Sequence, residues 1–153
     1  MKKILLYLIV LILLNVFNSN YAQQKGFGLG IILGEPTGLS AKFWTSYETA
    51  IDLGLGYSFS SSKSIINFHG DYVFHNSNML ESEQSFVVYY GPGASLKINE
   101  NKSRLGIRGV IGILWLPART NFDLFVEAAP ILDIIPETKF DFAGGIGARY
   151  YFN

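Results

Sequence analysis

Residues 140–152, FDFAGGIGARYYF, limit the fold more than any other part of the chain. Every second residue, from Phe140 through Phe142, Gly144, Ile146, Ala148 and Tyr150 to Phe152, is apolar, aromatic or glycine. The residues between them, Asp141, Ala143, Gly145, Gly147, Arg149 and Tyr151, are small, charged or hydroxylated. A period of two belongs to a β-strand, whose side chains alternate between faces. An apolar face with aromatics at both ends, set against a small and charged face, predicts lipid on one side and a polar interior on the other.

Seven earlier runs repeat the pattern at the spacing of an all-β chain: 26–34, 39–45, 51–59, 66–75, 86–98, 104–115 and 122–133. In the third, Ile51, Leu53, Leu55, Tyr57 and Phe59 alternate with Asp52, Gly54, Gly56 and Ser58. Glu35-Pro36-Thr37-Gly38, Ser60 to Lys63, Asn99 to Lys102 and Ile135 to Thr138 carry turn residues between runs. Pro92 has no N–H to give a ladder, so a bulge or kink is expected at Gly91-Pro92-Gly93. The expected fold is all-β: an eight-stranded antiparallel up-and-down transmembrane β-barrel. About ten residues per crossing suit a tilted transmembrane strand.

The start of the chain has the order of an export signal. Lys2 and Lys3 precede the apolar run Ile4 to Leu14, and polar residues lead to Tyr21-Ala22-Gln23. The run is shorter than the roughly 20 residues a spanning helix needs. Residues 1–22 are therefore expected to be a cleavable signal peptide and 23–153 the barrel. With no cysteine, neither a disulfide, a thiolate metal site nor a cysteine-linked lipid is expected. No long basic run marks a nucleic-acid partner.

A soluble barrel of the lipocalin kind also alternates, with its charged face outward. Here the small-residue face carries glycines and single charges, unlike a Lys/Glu-rich soluble surface. Glycine suits the narrow interior of eight strands. The aliphatic faces of the third, sixth and eighth runs hold no charge in their cores, where Arg or Lys at mid-membrane would cost about 2–4 kcal/mol. Inward charges nearly balance: Lys42, Lys97, Arg104, Arg108 and Arg149 face Asp52, Asp71, Asp123, Glu127, Asp133 and Asp141. Arg108 and Glu127, on neighbouring runs, are expected to pair across the lumen. Arg149, Asp141 and Asp71 are further candidates for lumen ion pairs.

The eight glycine-aromatic strands, with GLGIILGEPTGLSAKFW near the start and FDFAGGIGARYYF at the end, resemble small outer-membrane β-barrel proteins of diderm bacteria. The architecture resembles the OmpA transmembrane domain and OmpX, and the two end segments an uncharacterised subgroup of such barrels. The resemblance implies residence in the outer membrane, contact with its lipid, a monomer, and a final strand read by the barrel-assembly machinery through Tyr150 and Phe152. Phe152 is penultimate here, because Asn153 follows it. With the N-terminus on the periplasmic side, the long connection 76–85 falls there too, where such barrels usually keep short loops.

Candidates for chemistry are few. His69, Asp71 and His75 share one face, the pattern of a metal site or an acid–base pair. Without a third ligand, a hydrogen-bonded lumen network is the plainer expectation. Gly26 to Gly30 lacks the Lys-Ser/Thr ending of a phosphate loop. Trp44, Trp115, Tyr57 and Tyr150 fit a girdle or packing role better than a cofactor box. No catalytic residue, cofactor or metal is expected. Three functions remain in view: a structural or interaction barrel without catalysis, a lipid-acting barrel enzyme with His69 and His75 at its rim, and a lipocalin-like periplasmic binder of an apolar ligand.

Overall fold

The computed structural model describes residues 26–58, 65–76, 86–117 and 120–152, so the expected signal peptide lies outside the described residues. Eight strands follow in order: β1 Phe27–Glu35, β2 Thr37–Trp44, β3 Thr49–Ser58, β4 Ile65–Asn76, β5 Phe86–Ile98, β6 Ser103–Trp115, β7 Phe122–Ile135 and β8 Lys139–Phe152. Each pairs antiparallel with the next, and β8 returns to β1, closing the barrel. Closure leaves no free sheet edge. All eight expected strands are present, most extended by a residue or two. The start of β1 and the end of β8 lie at one end, called here the near end. β4 ends and β5 begins at that same end, and the connection 77–85 between them lies outside the described residues.

Two local details depart from the sequence reading. The turn after β1 is tighter than expected, with Pro36 alone between β1 and β2. Gly34 takes a φ of 148°, a conformation closed to most side chains, and the Thr37 hydroxyl donates to its carbonyl at 2.9 Å. The turn tucks Pro36 fully inside, over Gly56. Pro92 lies in an unbroken β5, and its effect is on the ladder. Pairing with β4 skips Tyr72/Pro92 and Val73/Gly91, the positions that share the missing N–H. Pro130 does the same between β6 and β7, where pairing skips Gly109 and Val110. The register shift itself lies elsewhere, between Leu105 and Gly106 opposite the end of β7.

The interior is narrow, and the cross-strand register solves the packing. Large rings stand opposite glycines: Tyr151 opposite Gly28, His69 opposite Gly54, Tyr89 opposite Gly112 and Phe125 opposite Gly147. A Cβ at Gly112 would lie 2.4 Å from the Tyr89 ring, and one at Gly147 2.3 Å from Phe125. Glycine is required there by volume. Gly109, on the outward face, has open space where its Cβ would be. We therefore predict that Gly112→Ala lowers the unfolding temperature, at a cost of about 1–3 kcal/mol of overpacking, whereas Gly109→Ala leaves it unchanged. Equal effects in a thermal gel-shift series would refute the volume argument.

Candidate functional site: the ionised lumen

The inward faces bring charged side chains together in three tiers. At the near end, Lys42 on β2 and Asp52 on β3 are cross-strand partners, and the Lys42 Nζ donates to Asp52 Oδ2 at 2.9 Å. Arg149 on β8 reaches both walls: its Nε donates to Asp123 Oδ1 at 3.2 Å, and its Nη1 lies 3.5 Å from Asp52 Oδ2. The Tyr151 hydroxyl donates to the other oxygen of Asp123. Aromatic rings pack among these charges. The Arg149 guanidinium sits 4.0 Å from the Phe125 ring centroid, and Lys42 Nζ 4.8 Å from that of Tyr89.

In the middle tier, Arg108 on β6 lies between two carboxylates. Its Nε is 3.0 Å from Asp71 Oδ1 and its Nη2 is 3.4 Å from Glu127 Oε1. The Tyr89 hydroxyl donates to Glu127 Oε2 at 2.8 Å. The expected neighbours Arg108 and Glu127 thus meet, although Glu127 stands opposite Gly112 in the ladder and Arg108 opposite Ile131. The contact is diagonal, through the lumen, and Asp71 is the nearer partner. At the far end, Lys97 bonds Asp141 across the barrel, and Arg104 Nη1 lies 3.4 Å from Asp133 Oδ2. Arg149 and Asp141 share β8 but belong to opposite tiers.

The candidate residues for chemistry disperse. Asp71 is engaged by Arg108. The His75 ring packs at a tilt of 37° against Trp44, with centroids 4.3 Å apart, and its Nδ1 is 3.2 Å from the Glu48 carbonyl oxygen. His69 and His75 are both buried, facing the lumen. Among the described residues, no group of three or more His, Asp or Glu is arranged to hold a metal ion. Tyr150 and Phe152 point outward, 52% and 55% exposed, in an edge-to-face pair.

The outer surface is the reverse of the interior. Leu29, Ile31, Leu55, Ile107, Ile111 and Ile146 are among many large apolar side chains that stand exposed around the barrel. Aromatics gather near the termini: Phe27 contacts Phe43 and Phe152, and Trp115 lies between Phe86 and Phe122.

A closed up-and-down barrel of eight strands, apolar outside and ionised within, has the architecture of the OmpA and OmpX class. Among solved structures, the N-terminal β-barrel domain of Pseudomonas aeruginosa OprF matches with a TM-score of 0.66 at 12% identity, over 84% of this chain and 98% of that one. Neisserial surface protein A (NspA) matches with a TM-score of 0.55 at 12% identity, over 82% of this chain and 94% of that one. At this identity the likeness is one of fold. No protein-family model matches the chain, and no curated protein sequence does.

Sequence reasoning missed the near-end tier as a connected group. Lys42 opposite Asp52 is legible once the short turn from Thr45 to Glu48 sets the register of β2 and β3. Arg149 with Ser40, 109 residues apart, is legible only after closure. For the middle tier, removing a buried partner strands opposite charges, at a cost of about 3–5 kcal/mol. Arg108→Glu is therefore expected to lower thermal stability sharply, and adding Glu127→Arg to restore part of it. Additive losses in the double variant would rule out the coupling.

Proposed function

We propose that the protein is an integral outer-membrane β-barrel with a filled, charge-balanced lumen and a structural or interaction role, without catalysis. Its inverted polarity carries the reading. Ile107, Ile111 and Ile146 are 55%, 56% and 59% exposed, while Lys42, Arg108 and Arg149 are 0%, 4% and 2% exposed. In water the outer belt would forfeit about 25 cal/mol for each Å² of apolar surface. In hydrocarbon that penalty disappears, and the closed ladder keeps most backbone polar groups paired. A lipocalin-like binder requires the opposite arrangement.

The aromatics near the termini support the same reading, since they sit where an interfacial girdle belongs. Residues 1–22 supply the export signal in this proposal. Outward-facing Tyr150 and Phe152 on the closing strand are the features offered to the barrel-assembly machinery. Inside, cations and carboxylates nearly cancel, and their ion pairs span the lumen in every tier. A lumen closed in this way favours a monomeric structural barrel over an open pore. The lipid-enzyme alternative loses its basis, because His69 and His75 are enclosed by the barrel wall and do not stand at a lipid-facing rim.

The protein is expected to stay in the membrane through alkaline carbonate extraction and to migrate differently on a gel before and after boiling. Ile111→Arg discriminates more sharply. On a lipid-facing strand at mid-membrane it should cost about 2–4 kcal/mol, whereas on a soluble barrel an exposed Ile→Arg change is close to neutral. A neutral result together with release by carbonate would overturn the membrane reading.

A further inference from the structure

Closure removes every edge strand, yet the far rim of the barrel is uneven. β1 has 9 residues and β2 has 8, against 14 in β8. The β1–β8 ladder runs from Phe27 opposite Phe152 to Glu35 opposite Gly144, while β8 itself begins at Lys139. Residues 139–143 therefore pair with β7 on one side and have no strand on the other. At roughly 3.3 Å per residue the overhang is about 16 Å long. The β1–β2 turn does not fill the gap beside it, because Pro36 is carried inward over Gly56.

The ladder fixes which backbone groups are left over. Pro130 stands opposite Phe142 but has no N–H, so this rung is a non-hydrogen-bonded one. Alternation then turns the N–H and C=O of Phe142, and those of Phe140 two residues earlier, away from β7 toward the empty side. Phe142 shows the consequence: its N–H donates to Oδ1 of the adjacent Asp141 at 2.9 Å. A side chain stands in where the ladder supplies no carbonyl. The N–H of Phe140 and the carbonyls of both residues face no strand. The two rings point outward, 68% and 58% exposed. At the foot of the gap Glu35 ends β1, half-buried and without an ion-pair partner among the described residues.

We propose that residues 139–143 are a docking edge for an extended segment of another polypeptide, added to β8 in line with β1. Strand addition uses backbone donors and acceptors at every second residue, the spacing that Phe140 and Phe142 present. The two rings select apolar side chains on the outward face of the added strand. Glu35 selects a basic residue at the end that meets β1. A second copy of the barrel is not the partner. A twofold axis that lays two such edges side by side does not run along the membrane normal, so it would invert one barrel. That exclusion rests on the membrane-barrel reading, and the edge itself does not.

The test uses the full-length barrel in lipid vesicles and a short fluorescent peptide of alternating Val and Thr with Lys at one end. Anisotropy is expected to show saturable binding, lost when the peptide amides are N-methylated. Phe140→Pro removes the free donor and no bond to β7, so it should weaken binding about fivefold relative to Phe140→Ala, the worth of one hydrogen bond. Glu35→Lys should reverse the preference for the Lys peptide over its Glu counterpart. The chain has no cysteine, so a peptide carrying one should form a disulfide with Phe142→Cys and not with Ile111→Cys, on a strand paired along both sides. Absent binding, equal affinities for Phe140→Pro and Phe140→Ala, or disulfides at both cysteines overturn the proposal. Barrels joined to each other through Phe142→Cys without peptide, at a rate Ile111→Cys does not match, point to a second copy and overturn it too. Heat-modifiability verifies folding, and the N-methyl and disulfide comparisons carry the test if Phe140→Pro fails it. Carbonate extraction of the same vesicles separates the two failures: protein that washes out refutes the membrane reading, and protein that stays but binds no peptide refutes the docking edge.

Discussion

The narrowness of an eight-stranded lumen governs the rest of this structure. Once β8 pairs with β1, inward side chains from all directions compete for one small volume. Packing to native density then requires large side chains on one strand to stand opposite glycines on the next. Tyr89 over Gly112 and Phe125 over Gly147 are that requirement met locally. The same crowding brings ionised groups within reach across the barrel, as Lys97 reaches Asp141 from β5 to β8. Ion pairs are tolerable in such an interior because nearly every charge has an opposite neighbour. Their net contribution to stability is modest, but losing one member is costly.

From that constraint the outer surface follows. A lumen filled largely by glycine, rings and ion pairs has space for only a small aliphatic cluster, Ile32, Val73, Val110, Leu114 and Ile131 among it, so most large aliphatic side chains face outward. The barrel is stable with such a surface only where that surface is solvated by hydrocarbon. The two prolines that lie within strands test the limits of this arrangement. Pro92 and Pro130 each remove one ladder donor, and Gly109 stands between them on β6. The strands continue through both positions, held by the rungs on either side.

Much of the fold was legible because a period of two needs no tertiary information. Ile51 to Ser58 shows its two faces in the primary structure, and so does Leu105 to Trp115. The strand count, the direction of each face and the inward placement of Lys42, Arg108, Glu127 and Arg149 all follow from alternation. Pro36 and Gly38 marked a turn, though not how short it is, since strand ends depend on how far neighbouring ladders extend. The ion-pair partners were legible only in part. Arg108 and Glu127 were recognisable as neighbours in strand order, but Asp71 is the closer partner, and its strand is two away from that of Arg108.

By itself, then, the order of residues determined an all-β chain of eight amphipathic strands, which face is apolar, and which charges are turned away from it. These are properties of single strands, set by side-chain alternation along an extended backbone. Tertiary structure decided what spans the lumen: the pairing of Arg149 with Asp52 and Asp123, the Asp71–Arg108–Glu127 bridge, and the Lys97–Asp141 pair. Closure fixes how the β8 side chains meet those of β2 and β3, and register decides which inward group stands opposite a glycine. Neither can be read from any one strand. Both arise only when the ring is complete and its interior has to be shared.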